Sequence, residues 1–136
     1  MVKNPVAYSK TIESGKDFPN LVDIINNCIQ EREGIDWVSL DLRKVEGAIC
    51  DKFIICQGRS NTQVRAIADF VVEEVRNILG SNPLNKEGFE NMQWILLDYV
   101  DIVVHIFQPE TRALYNVEGL WADAEVTYFN DERRAV

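Results

Sequence analysis

The residues best equipped for chemistry cluster around two apolar runs, WILLDY (Trp94 to Tyr99) and IVVHIF (Ile102 to Phe107). The short link between them predicts a hairpin. If it turns at Tyr99-Val100, Asp98 faces Asp101, Leu96 faces Val103 and Trp94 faces His105, and the period of two puts all six side chains on one face. Like charges directly opposite repel. Such a pair would serve as an acid pair for catalysis or metal binding, or as the acidic rim of a binding surface whose apolar part is Trp94 and Leu96. The plainer alternative is two solvated turn residues with Trp94 buried as core. His105 is the only histidine, so any Ser-His-Asp or Cys-His arrangement would have to use it. Flanked by Val104 and Ile106, it reads first as a hydrogen-bonded sheet residue.

The loop Gly58-Arg59-Ser60-Asn61 lies where a strand meets a helix N-terminus, a place where outward N–H groups favour anions. Ser60 and Gln63 form an S-x-x-Q capping box that occupies those donors, and neither glycine-rich phosphate pattern is present. The loop therefore reads as a turn and cap. Cys28, Cys50 and Cys56 are odd in number and contain no C-x-x-C. Cys28 and Cys56 fall in apolar patterns and read as core, a reducing compartment is the default, and the three cysteines with the lone His105 do not plausibly supply a zinc site. The absence of a credible nucleophile–base pair favours a binding module over an enzyme.

Several elements must position these residues. Residues 1–16 are polar and aperiodic and read as a loose arm. Phe18, Leu21, Val22, Ile25, Cys28 and Ile29 recur at helical spacing, with Asp17 as cap, Pro19 in the first turn and Gly34 at the end. WVSLDLR alternates as a strand with two unlike faces. The run Phe53 to Cys56 is apolar throughout and reads as a strand covered on both sides. Val64, Ile67, Ala68, Val71, Val75 and Ile78 form a helical stripe that Gly80 ends. SNPLNKEG is turn-rich, with room for a short strand. Pro109 opens a short helix to about Val117, Leu120 and Trp121 pin the C-terminal segment to the core, and residues 125–136 read as a mobile tail. The order helix, two strands, helix, two or three strands, helix implies a mixed α/β sheet with helices packed on it, as one domain over 17–124.

With 136 residues and 46 % apolar content the chain is long enough to bury a core without staples. The net charge of −8 makes it a poor candidate for gripping nucleic acid, which needs clustered Lys and Arg, and favours basic partners. No stretch has the length of a membrane span and the N-terminus lacks a signal-peptide core, so the cytoplasm is the expected address.

The strings CDKFIICQGRSNTQVRAIAD and WILLDYVDIVVHIFQPETRALYNVEGLWADA, with WVSLDLR before them, resemble the signature of the ribosomal silencing factor (Iojap-related) family over about residues 18–124. The resemblance implies a nucleotidyltransferase-like α/β fold without catalysis and without a cofactor. It further implies binding to protein fourteen of the large ribosomal subunit, which blocks subunit joining and represses translation when nutrients are short. The binding positions it implies are Trp94, Leu96 or Leu97, Asp98 and Asp101, with Tyr115 to Trp121 as neighbours. Two departures stand out. Val100 replaces the glycine of the family's D-Y-G-D turn, which a β-branched residue cannot follow at positive φ without strain, and Ala122 replaces the glycine of L-W-G-D-A. Two alternatives remain open. One is a nucleotidyltransferase-like enzyme using Gly58 to Asn61 and Asp41, Asp98 or Asp101 with a divalent metal; the other is a homodimeric adaptor joined through a sheet edge or Trp121.

Overall fold

The computed structural model describes residues 20–129. It is a mixed α/β domain built on a six-stranded sheet. The elements run α1 (Leu21–Glu31), β1 (Ile35–Asp41), β2 (Lys52–Gln57), α2 (Asn61–Leu79), β3 (Asn85–Glu87), β4 (Trp94–Asp98), β5 (Ile102–Phe107), α3 (Pro109–Tyr115), α4 (Val117–Leu120) and β6 (Glu125–Tyr128). The strand order is β3-β4-β5-β2-β1-β6. β2 and β5 are parallel and every other pair is antiparallel. The chain reaches β5 from β2 through α2 and the β3–β4 hairpin, so the one parallel pairing is the one that needs a helical crossover.

The central strands explain this layering. Phe53, Ile54, Ile55 and Cys56 are all buried, as are Ile102 to Phe107. Ile54, Cys56, Val104 and Ile106 pack under α1 and α2, whereas Phe53, Ile55, Val103 and Phe107 form a second core on the opposite face. β1 differs from the expected alternation. Trp37, Val38, Ser39 and Leu40 are all buried, because β2 and β6 flank it and core lies on both sides.

The helix ends follow local chemistry. Asn20 caps α1 through a reciprocal box with Asp23; the expected Asp17 cap and Pro19 first turn lie outside the described residues, and Asn20 does the capping. Gly80 ends α2 in the left-handed region at φ +70°. The Ser60 box forms only in part. Ser60 Oγ accepts the Gln63 N–H at 3.1 Å, but Gln63 Oε1 accepts the Arg59 N–H at 2.7 Å instead of that of Ser60. The Gln63 amide then donates to the Arg32 and Glu33 carbonyls, tying the end of α1 to the start of α2.

The tail expected from residue 125 is ordered at its start. Glu125 to Tyr128 pair with β1 as an edge strand, and Phe129 donates its N–H to the Trp37 carbonyl at 2.8 Å and stacks on the Trp37 ring. The alternation of Val126 and Tyr128 carried this strand signal, but the polar residues around it masked it.

Candidate protein-docking surface

On the face away from α1 and α2, β4 presents Trp94, Leu96 and Asp98, all half-buried, while Ile95 and Leu97 between them are sealed under the helices. The indole of Trp94 lies on Phe107 (4.9 Å between centroids) and against Tyr115 (5.0 Å). Its Nε1–H donates to His105 Nδ1 at 3.1 Å. His105 meets Phe53 at 4.5 Å, and Phe53 in turn meets Trp121 edge-on at 6.0 Å. These rings form two tiers. Phe53, His105 and Phe107 are buried on the sheet, and Trp94, Tyr115 and Trp121 lie above them at the surface.

Helices α3 and α4 build the upper tier. Pro109 starts α3, Asn116 breaks it with φ +46°, and the Asn116 side chain accepts the Gly119 N–H to start α4. Arg112 anchors the segment. Its guanidinium pairs bidentately with Glu118 at 3.1 and 2.7 Å and donates to the Asp36 carbonyl and to Gln57 Oε1. α3 buries no residue of its own, and Val117 is the buried residue of α4. Leu114, Tyr115 and Leu120 therefore stand in solvent, at 76 %, 54 % and 75 % exposure. Large apolar groups this exposed within one short segment are characteristic of interaction sites. Glu110, Asp123 and Glu125 add exposed carboxylates along the same stretch, where Arg112 is the sole basic residue and is paired with Glu118.

Burial pushes the imidazole of His105 down to about 4, so it is neutral at neutral pH and serves as acceptor for the indole. It has the environment of a core residue and not of a general base. Burial likewise pushes the Cys56 thiol up to about 12, which leaves it inert. Among the described residues no group of three or more His, Cys, Asp and Glu has the geometry to hold a metal ion, and no helix is long and apolar enough to cross a membrane.

The hairpin register differs from the expected one by two residues. Trp94 pairs with Phe107, Leu96 with His105 and Asp98 with Val103, so Asp98 and Asp101 do not face each other. The cause is the turn. Val100 sits at φ +77°, the Asp101 N–H donates to the Tyr99 carbonyl across it at 2.9 Å, and the Tyr99 N–H donates to the Ile102 carbonyl. This is a γ-turn, the strained kind with positive φ. Asp98 Oδ1 accepts the Val100 N–H at 2.8 Å and so holds the turn. The Asp101 carbonyl accepts the N–H groups of Asp51 and Lys52, and its side chain is exposed.

The structure thus brings Trp94, Leu96, Tyr115 and Trp121 to one face, with Asp98 at its edge and Asp101 beyond it in the turn. Leu97 does not belong there. It is 0 % exposed and points under the helices, because strand alternation gives only one of Leu96 and Leu97 to each face. Leu114, which the sequence reading did not single out, is exposed, and Leu120, expected to pin the chain to the core as part of the Tyr115 to Trp121 segment, is in solvent. The available signal was that a seven-residue helix following a proline has too few apolar positions to bury Leu114 as well as Tyr115.

Fold and surface together define a mixed-sheet α/β domain with a partly exposed aromatic face that has Asp98 at its edge. The sequence profile described as ribosomal silencing factor during starvation matches residues 15–135. The chain is 36 % identical over 104 residues to the ribosomal silencing factor of Halalkalibacterium halodurans, covering 76 % of this chain and 87 % of that one. It is 35 % identical over 102 residues to that of Haemophilus influenzae, covering 75 % and 98 %. The crystal structure of a Chromobacterium violaceum protein matches with a TM-score of 0.70 at 30 % identity, over 75 % of this chain and 83 % of that one. The chain belongs to the ribosomal silencing factor family.

Proposed function

We propose that the face formed by Trp94, Leu96, Tyr115, Leu114, Leu120 and Trp121 docks on protein fourteen of the large ribosomal subunit. The docked domain occupies surface that the small subunit needs, prevents subunit joining, and so represses translation in the cytoplasm under nutrient limitation. The mechanism is steric and adds no chemistry. The observation that carries this reading is an indole fixed from below by Phe107 and His105, with exposed Tyr115 against it and Leu114 and Leu120 exposed in the same short helical segment. Preorganised aromatic anchors flanked by apolar contacts dominate interface energies. The exposed carboxylates of the same segment, Glu110, Asp123 and Glu125, within a chain of net charge −8, complement a basic, RNA-associated partner and speed its encounter.

The test is association of purified subunits followed by light scattering. Chain added to large subunits before mixing is expected to suppress formation of joined ribosomes, and to co-sediment with large but not small subunits. Normal joining at saturating chain would refute the plug.

A further inference from the structure

We propose that His105 is a positioning residue of the docking face: its buried imidazole fixes the Trp94 indole in its binding pose. This rests on the reading of Trp94 as an interface anchor. His105 is 4 % exposed and is a costly choice for its position. Its Nδ1 accepts the Trp94 Nε1–H at 3.1 Å, which puts the neutral ring's proton on Nε2. That atom is buried without a hydrogen-bond partner among the described residues. A buried unpaired donor is destabilising, and Val103 and Phe107 on the same strand and face show that apolar side chains fit there. Stability alone would place an aliphatic residue at 105.

What the imidazole supplies is direction. Stacking on Phe107 and contact with Tyr115 hold the plane of the indole but leave it free to flip end for end about χ2. The hydrogen bond selects the flip in which Nε1 turns inward and the hydrocarbon edge turns outward. The surface then shows a partner an apolar edge with no N–H to desolvate. Without the acceptor, the N–H is better placed toward water, and docking must either bury it unpaired or flip the ring back.

The experiment compares His105→Leu, His105→Asn and Trp94→Ala in the full chain. Leucine fills the space without an acceptor; asparagine keeps an acceptor oxygen near the Nδ1 position in a smaller side chain. Each variant is assayed by thermal unfolding, by the Trp94 indole N–H resonance and its exchange with solvent, and by affinity for purified large subunits. His105→Leu is expected to unfold no lower than the parent, to shift the Trp94 indole signal and speed its exchange, and to bind about fivefold more weakly, the equivalent of one neutral hydrogen bond. His105→Asn is expected to unfold lower yet recover the indole signature and most of the affinity. A purely structural histidine would give the opposite order, with affinity tracking stability. An unmoved indole resonance in His105→Leu, or parental affinity in His105→Leu while Trp94→Ala binds weakly, overturns the positioning role alone. Parental affinity in Trp94→Ala overturns the interface reading and the positioning role with it.

Discussion

Replacing Val100 by glycine should make this protein more stable, although glycine ordinarily weakens a fold. Val100 is the central residue of the β4–β5 turn at φ +77°, closed by the Asp101 N–H on the Tyr99 carbonyl. A non-glycine residue there costs about 1–3 kcal/mol, and β-branching puts valine in the upper half of that range. Against this, glycine carries about 0.5–1 kcal/mol more chain entropy to lose on folding. Val100 is 58 % exposed, so removing its side chain forfeits less than about 1 kcal/mol of burial. The balance is a gain of about 1 kcal/mol, or about 4 °C in unfolding midpoint for a domain of this size. Val100→Ala is the control. It loses the two methyl groups but keeps a Cβ at positive φ; shedding the β-branch relieves part of the strain and offsets the lost burial, so it should lie close to the parent and below Val100→Gly. Urea and thermal unfolding of the three proteins decide the matter. If Val100→Gly is no more stable than Val100→Ala, the turn holds no conformational strain and the explanation of the register fails.

Arg112→Met keeps the aliphatic stem but leaves Glu118, the Asp36 carbonyl and Gln57 without their shared donor; with the Arg112 side chain only 11 % exposed, the loss should be about 2–3 kcal/mol in urea unfolding, and large-subunit binding should weaken as α3 and α4 loosen. His105 supplies a pH dependence. Burial lowers it from 6.5 to about 4, so the unfolded chain takes up its proton at a higher pH than the folded one. This contribution is complete above about pH 7 and declines as the pH falls from 6.5 toward 4, amounting to about 2 kcal/mol lost by about pH 5. Unfolding midpoints of the parent minus those of His105→Leu should fall across that window, and a flat difference would refute the buried neutral assignment.

Where one residue pattern admitted one packing, the sequence was legible. The continuous apolar run Phe53 to Cys56 could only be a strand covered on both faces, and the stripe from Val64 to Ile78 with Gly80 after it could only be an amphipathic helix with its stop. Both appear within a residue or two of their expected bounds. Trp94 and Leu96 share a face as the period of two required, whereas Tyr115 and Trp121 were expected beside them only from the family resemblance. Details that depend on competition between hydrogen bonds were not legible. The register turned on whether Asp98 would pair across the hairpin or accept the Val100 N–H, and strand periodicity carries no information on that choice. Leu96 and Leu97 are chemically equivalent until alternation is anchored at Trp94, so the choice left open between them falls to Leu96. β6 is four exposed residues held by the backbone of β1, and an edge strand that buries little leaves little apolar pattern to read.

Equilibrium binding of Trp94→Ala to purified large ribosomal subunits, beside the parent and with circular dichroism confirming a folded variant, probes the proposed docking face at its centre. An indole acting as the interfacial anchor predicts a loss of at least about 2 kcal/mol, or about thirtyfold in Kd. A folded variant that binds within about twofold of the parent, well inside what a hot spot allows, would show that the ribosome is met by some other surface.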